Sequence, residues 1–544
     1  MRIHRFLLCL VLAVTLLAAS ACENSNSSPV GTEDTIADVA SPADVVGEPD
    51  LLGDPDVSIV TEDAWQPPAD LYNPPDEDNL IGGWDLLIVT TEPMRTAFEE
   101  LADWRRQTGL PTHIATMDDV LADGETPDRA TVLRSFIKNA FDEHGTRIVL
   151  LGGDAPDVPH RTVFAAMKMG SGDLGYEHDC EAPTELYFSD LDGDWDGDGD
   201  GDYAEFEDDL DMVPDVAVGR VPAYGNAVAQ RYIDKVIAYE MGETDDYQQR
   251  ILFLSEDTGF GGIDSALMLN TWDGYTFDDR YDIEKLYHKS AGYPDAQPNT
   301  TGDEIAAIHE GKGMIVHLGH GSTGMLAYLD REEVNDLNNG SKTSVFFSCA
   351  CYSGDFSGES RQSAGELYVT NPNGGGVAYI GNTDVGIGFP PGALFLQAML
   401  DEILNAVDVP RLGEAFATAR STFTPGAGGT WTELHEDRYT QLVVILLGDP
   451  ALRTWRVRPR RAQVDVTAEV PVDGPVAVSV KTASGTAVEG ATVTVYQKNR
   501  VLRITATDEG GGAEFATLDA VPGPVLVTVS GLDLKPVVAE IIAR

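Results

Sequence analysis

The sequence predicts an α/β chain of two side-by-side subdomains followed by a small all-β module, and three observations carry that expectation. Short apolar runs alternate with amphipathic helical stretches from Asp85 to about residue 456. The length of 544 residues allows about three domains. Beyond the basic joint at 456–461 the helical period stops and a period of two takes over.

The first subdomain, residues 83–245, opens on a buried strand at 86–89. A helix with Phe98, Leu101 and Ala102 on one face follows, then a strand at 112–115. The next helix sets Val132/Leu133, Phe136/Ile137 and Ala140/Phe141 at spacing four, and a strand at 148–151 runs into Gly152-Gly153-Asp154. A strand at 216–218 and a helix with Ile233, Val236 and Ile237 complete it. The second subdomain, residues 246–456, has strands at 251–254, 314–318, 344–348, 377–380 and 442–447, the last leading to Gly448-Asp449-Pro450. In largely parallel sheets of this kind, active groups gather at the carboxyl edge of the strands. Residues 463–544 carry strands at 464–466, 476–480, 491–496 and 525–529 between Gly, Pro and Asp turns, which predicts an immunoglobulin-like β-sandwich. That module holds no Cys or His, so nucleophilic chemistry is expected elsewhere.

Composition narrows the function. With 36 Lys+Arg against 90 Asp+Glu the formal net charge is −54, which repels nucleic-acid phosphates and favours cations, calcium first. A hydrophobic fraction of 42% excludes wholesale disorder. Five cysteines are too few for a disulfide scaffold, and Cys9 and Cys22 fall in the leader.

That leader, residues 1–22, pairs Arg2 and Arg5 with an apolar run at 6–17 and the small residues before Cys22. A dozen apolar residues cannot span a bilayer, which needs about 20. We read a bacterial lipoprotein signal with Cys22 as the lipidated residue, although Ala19 stands where Leu is usual; ordinary cleavage after the small residues is the alternative. Either way the chain is exported to the cell envelope or beyond, touching membrane only through a lipid. Residues 23–82 are acidic and aperiodic, a disordered tether or a short inhibitory prosegment.

Two strand ends carry candidate chemistry. His320 lies between Gly319 and Gly321 after the run at 314–318, on a tight turn that exposes its ring. A lone His is more often structural, which suits His317, three residues earlier. The second end is Ser348-Cys349-Ala350-Cys351-Tyr352-Ser353-Gly354. Cys349 fits inert packing, and Cys351, past the apolar run, fits an exposed nucleophile. A Cys-His pair would form a thiolate–imidazolium couple, with the thiol pKa pulled below its usual value of about 8.5.

These motifs, Gly-His-Gly-Ser at 319–322 and Phe-Phe-Ser-Cys-Ala-Cys at 346–351, resemble the gingipain-type cysteine peptidases of the caspase-like fold. The resemblance extends over most of 83–456 and includes 150–154, 218–222, 375–381 and 446–452. It implies a caspase-like catalytic unit acting on protein or peptide substrates. Cys351 would attack the scissile carbonyl, His320 would protonate the leaving amine, and the backbone N–H groups of Gly321 and Cys351 would hold the oxyanion. Asp215 is the candidate acid for orienting His320, against the plainer reading of a solvated strand-edge carboxylate. The chain departs from the Arg- and Lys-cleaving relatives. Only the 23–82 segment precedes the catalytic unit, no outer-membrane sorting domain is recognised, and no acid in 224–230 suits the base of a specificity pocket. Cleavage after Arg or Lys is therefore not carried over.

Asp194, Asp196, Asp198, Asp200, Asp202 and Glu205, with Gly199 at position six, fit a twelve-residue calcium loop. We expect a structural Ca²⁺ without a role in the chemistry and no organic cofactor; a solvated acidic loop is the alternative. A competing metal reading takes His178, Cys180, Cys349 and Cys351 as zinc ligands, at a Cys-x-Cys spacing unusual for such sites. A Cys180–Cys349 disulfide is a further alternative. The leading function is an exported cysteine endopeptidase. A non-catalytic surface binding protein on the same fold, or a transpeptidase-like transfer enzyme, are the other readings.

Overall fold

The computed structural model describes residues 80–544 except 123, 125, 127, 170–175, 209, 243–246, 258–263, 359–361, 407–409 and 425–434. The expected leader, the lipidated Cys22 and almost all of the 23–82 segment lie outside the described residues.

Among the described residues, eleven strands form one sheet in the order β2-β1-β3-β6-β16-β15-β14-β10-β7-β8-β9. Its strands are β1 (Leu86–Thr90), β2 (Thr112–Thr116), β3 (Ile148–Gly152), β6 (Ala217–Val221), β7 (Arg250–Ser255), β8 (Asp282–Tyr287), β9 (Gln297–Pro298), β10 (Met314–Leu318), β14 (Ser344–Ser348), β15 (Gly376–Asn382) and β16 (Val444–Gly448). Outside it, β4 (Arg161–Met169) and β5 (Tyr176–Thr184) form a hairpin, and β11 (Gly321–Ser322), β12 (Met325–Leu326) and β13 (Leu329–Asp330) a small antiparallel sheet. Every residue of β1, β3, β10, β14, β15 and β16 is buried, which is why these segments read as continuous apolar runs.

The strands β2, β1, β3 and β6 are parallel to one another, as are β15, β14, β10, β7, β8 and β9, and β16 lies between the two sets, antiparallel to β15. One expectation changes. The strand expected to close the second subdomain, β16, pairs with β6 of the first. The carboxyl end of β6 lies beside the loop that follows β14, where the Arg220 guanidinium stands 5.0 Å from the Phe356 ring centroid.

Helices cover the faces: α1 (Arg95–Gln107), α2 (Arg129–His144), α3 (Asn226–Met241), α4 (Ser265–Trp272), α5 (Thr301–Glu310), α6 (Ala364–Thr370), α7 (Ala393–Asn405), α8 (Leu412–Thr422) and α9 (Glu436–Val443). Their ends follow capping chemistry. Asp128 accepts the Ala130 and Thr131 N–H groups at the start of α2, and Gly145 ends it in the left-handed region at φ 69°. Buried Arg105 of α1 ties the layers together, pairing with Glu240 of α3 at 2.8 Å and with Asp449 at 2.6 Å.

Residues 462–543 form two further sheets around their own apolar core. One holds β17 (Ala462–Val466), β19 (Val476–Thr482) and β22 (Gly512–Phe515). The other holds β18 (Glu469–Val470), β20 (Thr492–Gln497), β21 (Val501–Ala506), β23 (Gly523–Gly531) and β24 (Leu534–Ala543). The module docks on α1, where the Tyr496 hydroxyl donates to Asp103 at 2.7 Å. No described helix is long and apolar enough to cross a membrane.

Candidate active site

Three neighbouring strands, β7, β10 and β14, end side by side. In register, His317 pairs with Leu254 on one side and Ser348 on the other. Glu256 therefore stands two residues past that level, and His320 and Cys351 three residues past it. The sheet brings the loops of His320 and Cys351 to one edge, and the glycines let them touch. A Cβ on Gly321 would come within 2.6 Å of Ala350 Cβ and 3.3 Å of the Cys351 carbonyl oxygen. One on Gly319 would come within 2.5 Å of His317 Nε2 and 2.7 Å of Glu256 Cγ. Neither position has room for a larger residue unless its neighbours move.

A hydrogen-bonded chain links the two loops. Ala350 N–H donates to Ser348 Oγ at 3.1 Å, and Ser348 Oγ meets His317 Nδ1 at 2.9 Å. His317 Nε2 meets Glu256 Oε1 at 3.1 Å, and the other carboxylate oxygen accepts the His320 N–H at 3.0 Å. The donor directions close when Ser348 donates to Nδ1 and Nε2–H donates to the carboxylate. Burial pushes the Glu256 carboxyl up, but the His317 bond and the His320 N–H outweigh it and hold it below the usual carboxylate range. His317 is fully buried, as expected of a structural histidine.

The His320 ring is exposed, and its Nε2 lies 2.9 Å from the Asp257 carbonyl oxygen. Donation from Nε2–H fixes the tautomer and leaves Nδ1 available for proton transfer. Cys351 is partly buried, with its thiol 3.9 Å from the Gly386 carbonyl. Asn382 Nδ2 donates to the Ala350 carbonyl at 3.1 Å, and the Asp384 carbonyl accepts the Tyr352 N–H at 2.8 Å. Tyr352 itself sits at φ 54°, an uncommon conformation for a bulky residue directly after the candidate nucleophile.

Several sequence-based expectations need correction. Burial pushes the Cys351 thiol up, and Asp384 adds to this against the Gly386 bond, the direction opposite to the lowering expected of a Cys-His pair. Asp215 does not reach His320. Four strand spacings separate β6 from β10, about 19 Å, and its carboxylate accepts the Leu191 N–H at 2.7 Å. It groups instead with Asp190 and Asp192. The acid that does meet the His320 loop is Glu256, which sequence reasoning missed; its signal was an ionisable pair, Glu256-Asp257, directly after a buried strand. Cys180, Cys349 and Cys351 are all free, so the Cys180–Cys349 disulfide is not formed. Nor do the four residues of the competing zinc reading converge: His178 and Cys180 group with Asp384, and Cys349 is buried apart from them.

The acidic loop gathers in two overlapping sets, Asp196/Asp198/Asp200 and Asp200/Asp202/Glu205, with Asp194 in neither. Gly199 and Gly201 take φ 76° and 96°, making the turns that fold the carboxylates inward. The loop is anchored at both ends. Trp195 is buried, Asp208 accepts the Gly197 and Glu205 N–H groups at 2.7 and 2.9 Å, and Arg438 donates to the Ala204 carbonyl at 2.7 Å.

Comparison with known proteins places this geometry. The model of peptidase family C25 matches residues 82–455. Among solved structures, the chain resembles the complex of Porphyromonas gingivalis RgpB pro- and mature domains at TM-score 0.65 and 18% identity, covering 85% of this chain and all of that one. The Arg-specific cysteine proteinase gingipain R is similar at TM-score 0.65 and 19% identity, covering 87% of this chain and all of that one. A structure described as a protease matches at TM-score 0.64 and 16% identity, covering 84% of this chain and 97% of its own length. At these identities the structural likeness speaks for the fold. No curated protein sequence matches the chain.

Proposed function

The chain belongs to peptidase family C25 and is a cysteine endopeptidase, and from that premise we propose that Cys351 is its nucleophile, His320 its proton carrier and Glu256 the residue that positions His320. The observation that carries this reading is the in-register placement of the β10 and β14 ends, joined through Ser348, His317 and Glu256.

Catalysis starts from a protonated thiol. His320 takes the Cys351 proton as Sγ attacks the scissile carbonyl carbon, so charge separation arises only with substrate present. The developing oxyanion is held by the Gly321 and Cys351 N–H groups, each worth roughly 100- to 1000-fold in rate. His320 then protonates the leaving amine, and water hydrolyses the thioester. Glu256 acts through the backbone: its carboxylate pins the His320 N–H, and the Asp257 carbonyl orients the ring.

The acidic loop adds a structural Ca²⁺, held by Asp196, Asp198, Asp200, Asp202 and Glu205. Clustered carboxylates on anchored backbone fit a hard cation. The two-sheet module at 462–543 is read as immunoglobulin-like, a spacer without chemistry. Export through the 1–22 leader with lipidation at Cys22 completes the proposal, making a peptidase of the cell envelope that acts on protein or peptide substrates.

A library of peptidyl acyloxymethyl ketones, resolved by mass spectrometry, tests the reading. A covalent adduct on Cys351 that is lost in His320→Ala supports it. An adduct on Cys349 or Cys180, or one that persists in His320→Ala, contradicts it.

A further inference from the structure

Beside the candidate nucleophile lies a set of side chains that the peptidase chemistry does not use. His178 and Cys180 stand two residues apart on β5 and therefore face one side of the hairpin. On that side they meet Asp384, from the turn after β15, and Tyr439, from α9, which packs on the hairpin. His178 Nε2 lies 2.6 Å from Asp384 Oδ1, and the Tyr439 hydroxyl donates to the same oxygen at 2.9 Å. A ring nitrogen, a sulfur and a carboxylate oxygen, one from each of His178, Cys180 and Asp384, all lie within 4.8 Å of one another.

The chemistry of the three donors selects the ion. Calcium and magnesium take oxygen ligands, whereas a mixed imidazole, thiolate and carboxylate set suits zinc and its neighbours. Bonds of 2.0–2.3 Å in tetrahedral geometry place ligand atoms roughly 3.3–3.8 Å apart, so the 2.6 Å His178–Asp384 pair would open by about 1 Å and a pair at the 4.8 Å limit would close by about as much. With three protein ligands, a fourth position stays open to water. The site also touches the catalytic edge. The Asp384 carbonyl holds the Tyr352 N–H, and two residues on, the Gly386 carbonyl faces the Cys351 thiol.

We infer that His178, Cys180 and Asp384 form a binding site for a zinc-class divalent cation, and that its occupancy turns the peptidase down by moving the 384–386 segment against Cys351. The inhibitory half rests on Cys351 being the nucleophile; the binding half does not. On binding, the Cys180 S–H bond breaks, a sulfur–metal bond forms, and the proton leaves to solvent. An ion seated between the Cys180 sulfur and the Asp384 carboxylate attracts both. Asp384 exchanges its bonds from His178 and Tyr439 for the cation, and this exchange is what displaces the segment.

The test is titration of the purified full chain with Co²⁺ under calcium-replete conditions, followed by thiolate-to-cobalt charge-transfer absorption, with Zn²⁺ as competitor. The expected result is a saturable band, displaced by Zn²⁺ and kept in Cys351→Ala. His178→Gln should weaken binding by at least about 10- to 100-fold, and Cys180→Ser should abolish the band. Circular dichroism of each variant confirms that it is folded. Absence of a band in the wild type, or its loss in Cys351→Ala with retention in Cys180→Ser, overturns the site. In a parallel assay, Zn²⁺ should inhibit the wild type at the concentration that displaces Co²⁺ and should spare Cys180→Ser. Equal inhibition of both overturns the regulatory half while leaving the binding result standing.

Discussion

Glu256 and His320, 64 residues apart in sequence, are joined by a hydrogen bond of 3.0 Å from the His320 backbone N–H to Glu256 Oε2. The other oxygen of that carboxylate holds His317, which bonds to Ser348, which in turn accepts the N–H of Ala350 next to Cys351. One buried anion thus sets the spacing of two loops.

Replacing Glu256 by Gln keeps the shape but removes the charge and puts an N–H₂ group where one acceptor stood. We expect kcat to fall on the order of 100-fold, the cost of a misplacement of about 1 Å, with KM little changed. Steady-state kinetics on a cleaved peptide checks this, and a rise in KM at constant kcat contradicts it.

Gly321→Ala drives a methyl group into Ala350 and spreads the two loops. Overpacking costs about 1–3 kcal/mol of stability, measurable by urea unfolding, while activity should fall by at least about 100-fold. Retained activity would show that the Gly321 backbone has no part in holding the oxyanion.

Arg105 is 1% exposed and Asp449 fully buried, so their ion pair has no water to fall back on. Asp449→Ala leaves the guanidinium with Glu240 alone and should cost about 3–5 kcal/mol. Equilibrium unfolding at pH 7 measures it, and a loss below about 1 kcal/mol contradicts the assignment.

Buried Glu304 has one oxygen without a hydrogen-bond partner and the other accepting the Tyr328 N–H at 3.1 Å. Burial pushes its carboxyl up to about 8 from the ordinary 4.5. The folded state therefore holds this proton more tightly than the unfolded chain. The stability it contributes is full below about pH 4.5 and is lost as the pH rises to about 8. The wild-type melting temperature should fall between pH 6 and 9, and less steeply in Glu304→Gln. Parallel profiles would contradict this.

EDTA should lower the melting temperature, and excess Ca²⁺ but not Mg²⁺ should restore it. An unchanged melting temperature under chelation contradicts the calcium loop.

What the sequence made legible follows from burial. Strands such as Met314–Leu318 and Ser344–Ser348 are covered on both faces, so their apolar runs stand out, and the residues that follow their ends could be located directly. Strand neighbours could not. β16 looks like its neighbours in composition, yet it pairs with β6 of the first subdomain as well as with β15. The hairpin strand Tyr176–Thr184 alternates Glu177, Asp179 and Glu181 with His178, Cys180 and Ala182, a period of two too polar to stand out as a strand. Asp215 was chosen for its place before a strand, but which acid meets His320 depends on which strand lies beside β10, and that is β7, the strand of Glu256.

The central claim is that Cys351, not its neighbour Cys349, is the nucleophile. The direct measurement compares peptidase activity of Cys351→Ala and Cys349→Ala on the same substrate, both shown to be folded. The account predicts that Cys351→Ala loses roughly 10⁴-fold or more, whereas Cys349→Ala, which removes only a buried packing group, keeps most of its activity. Activity surviving in Cys351→Ala and lost in Cys349→Ala would contradict it.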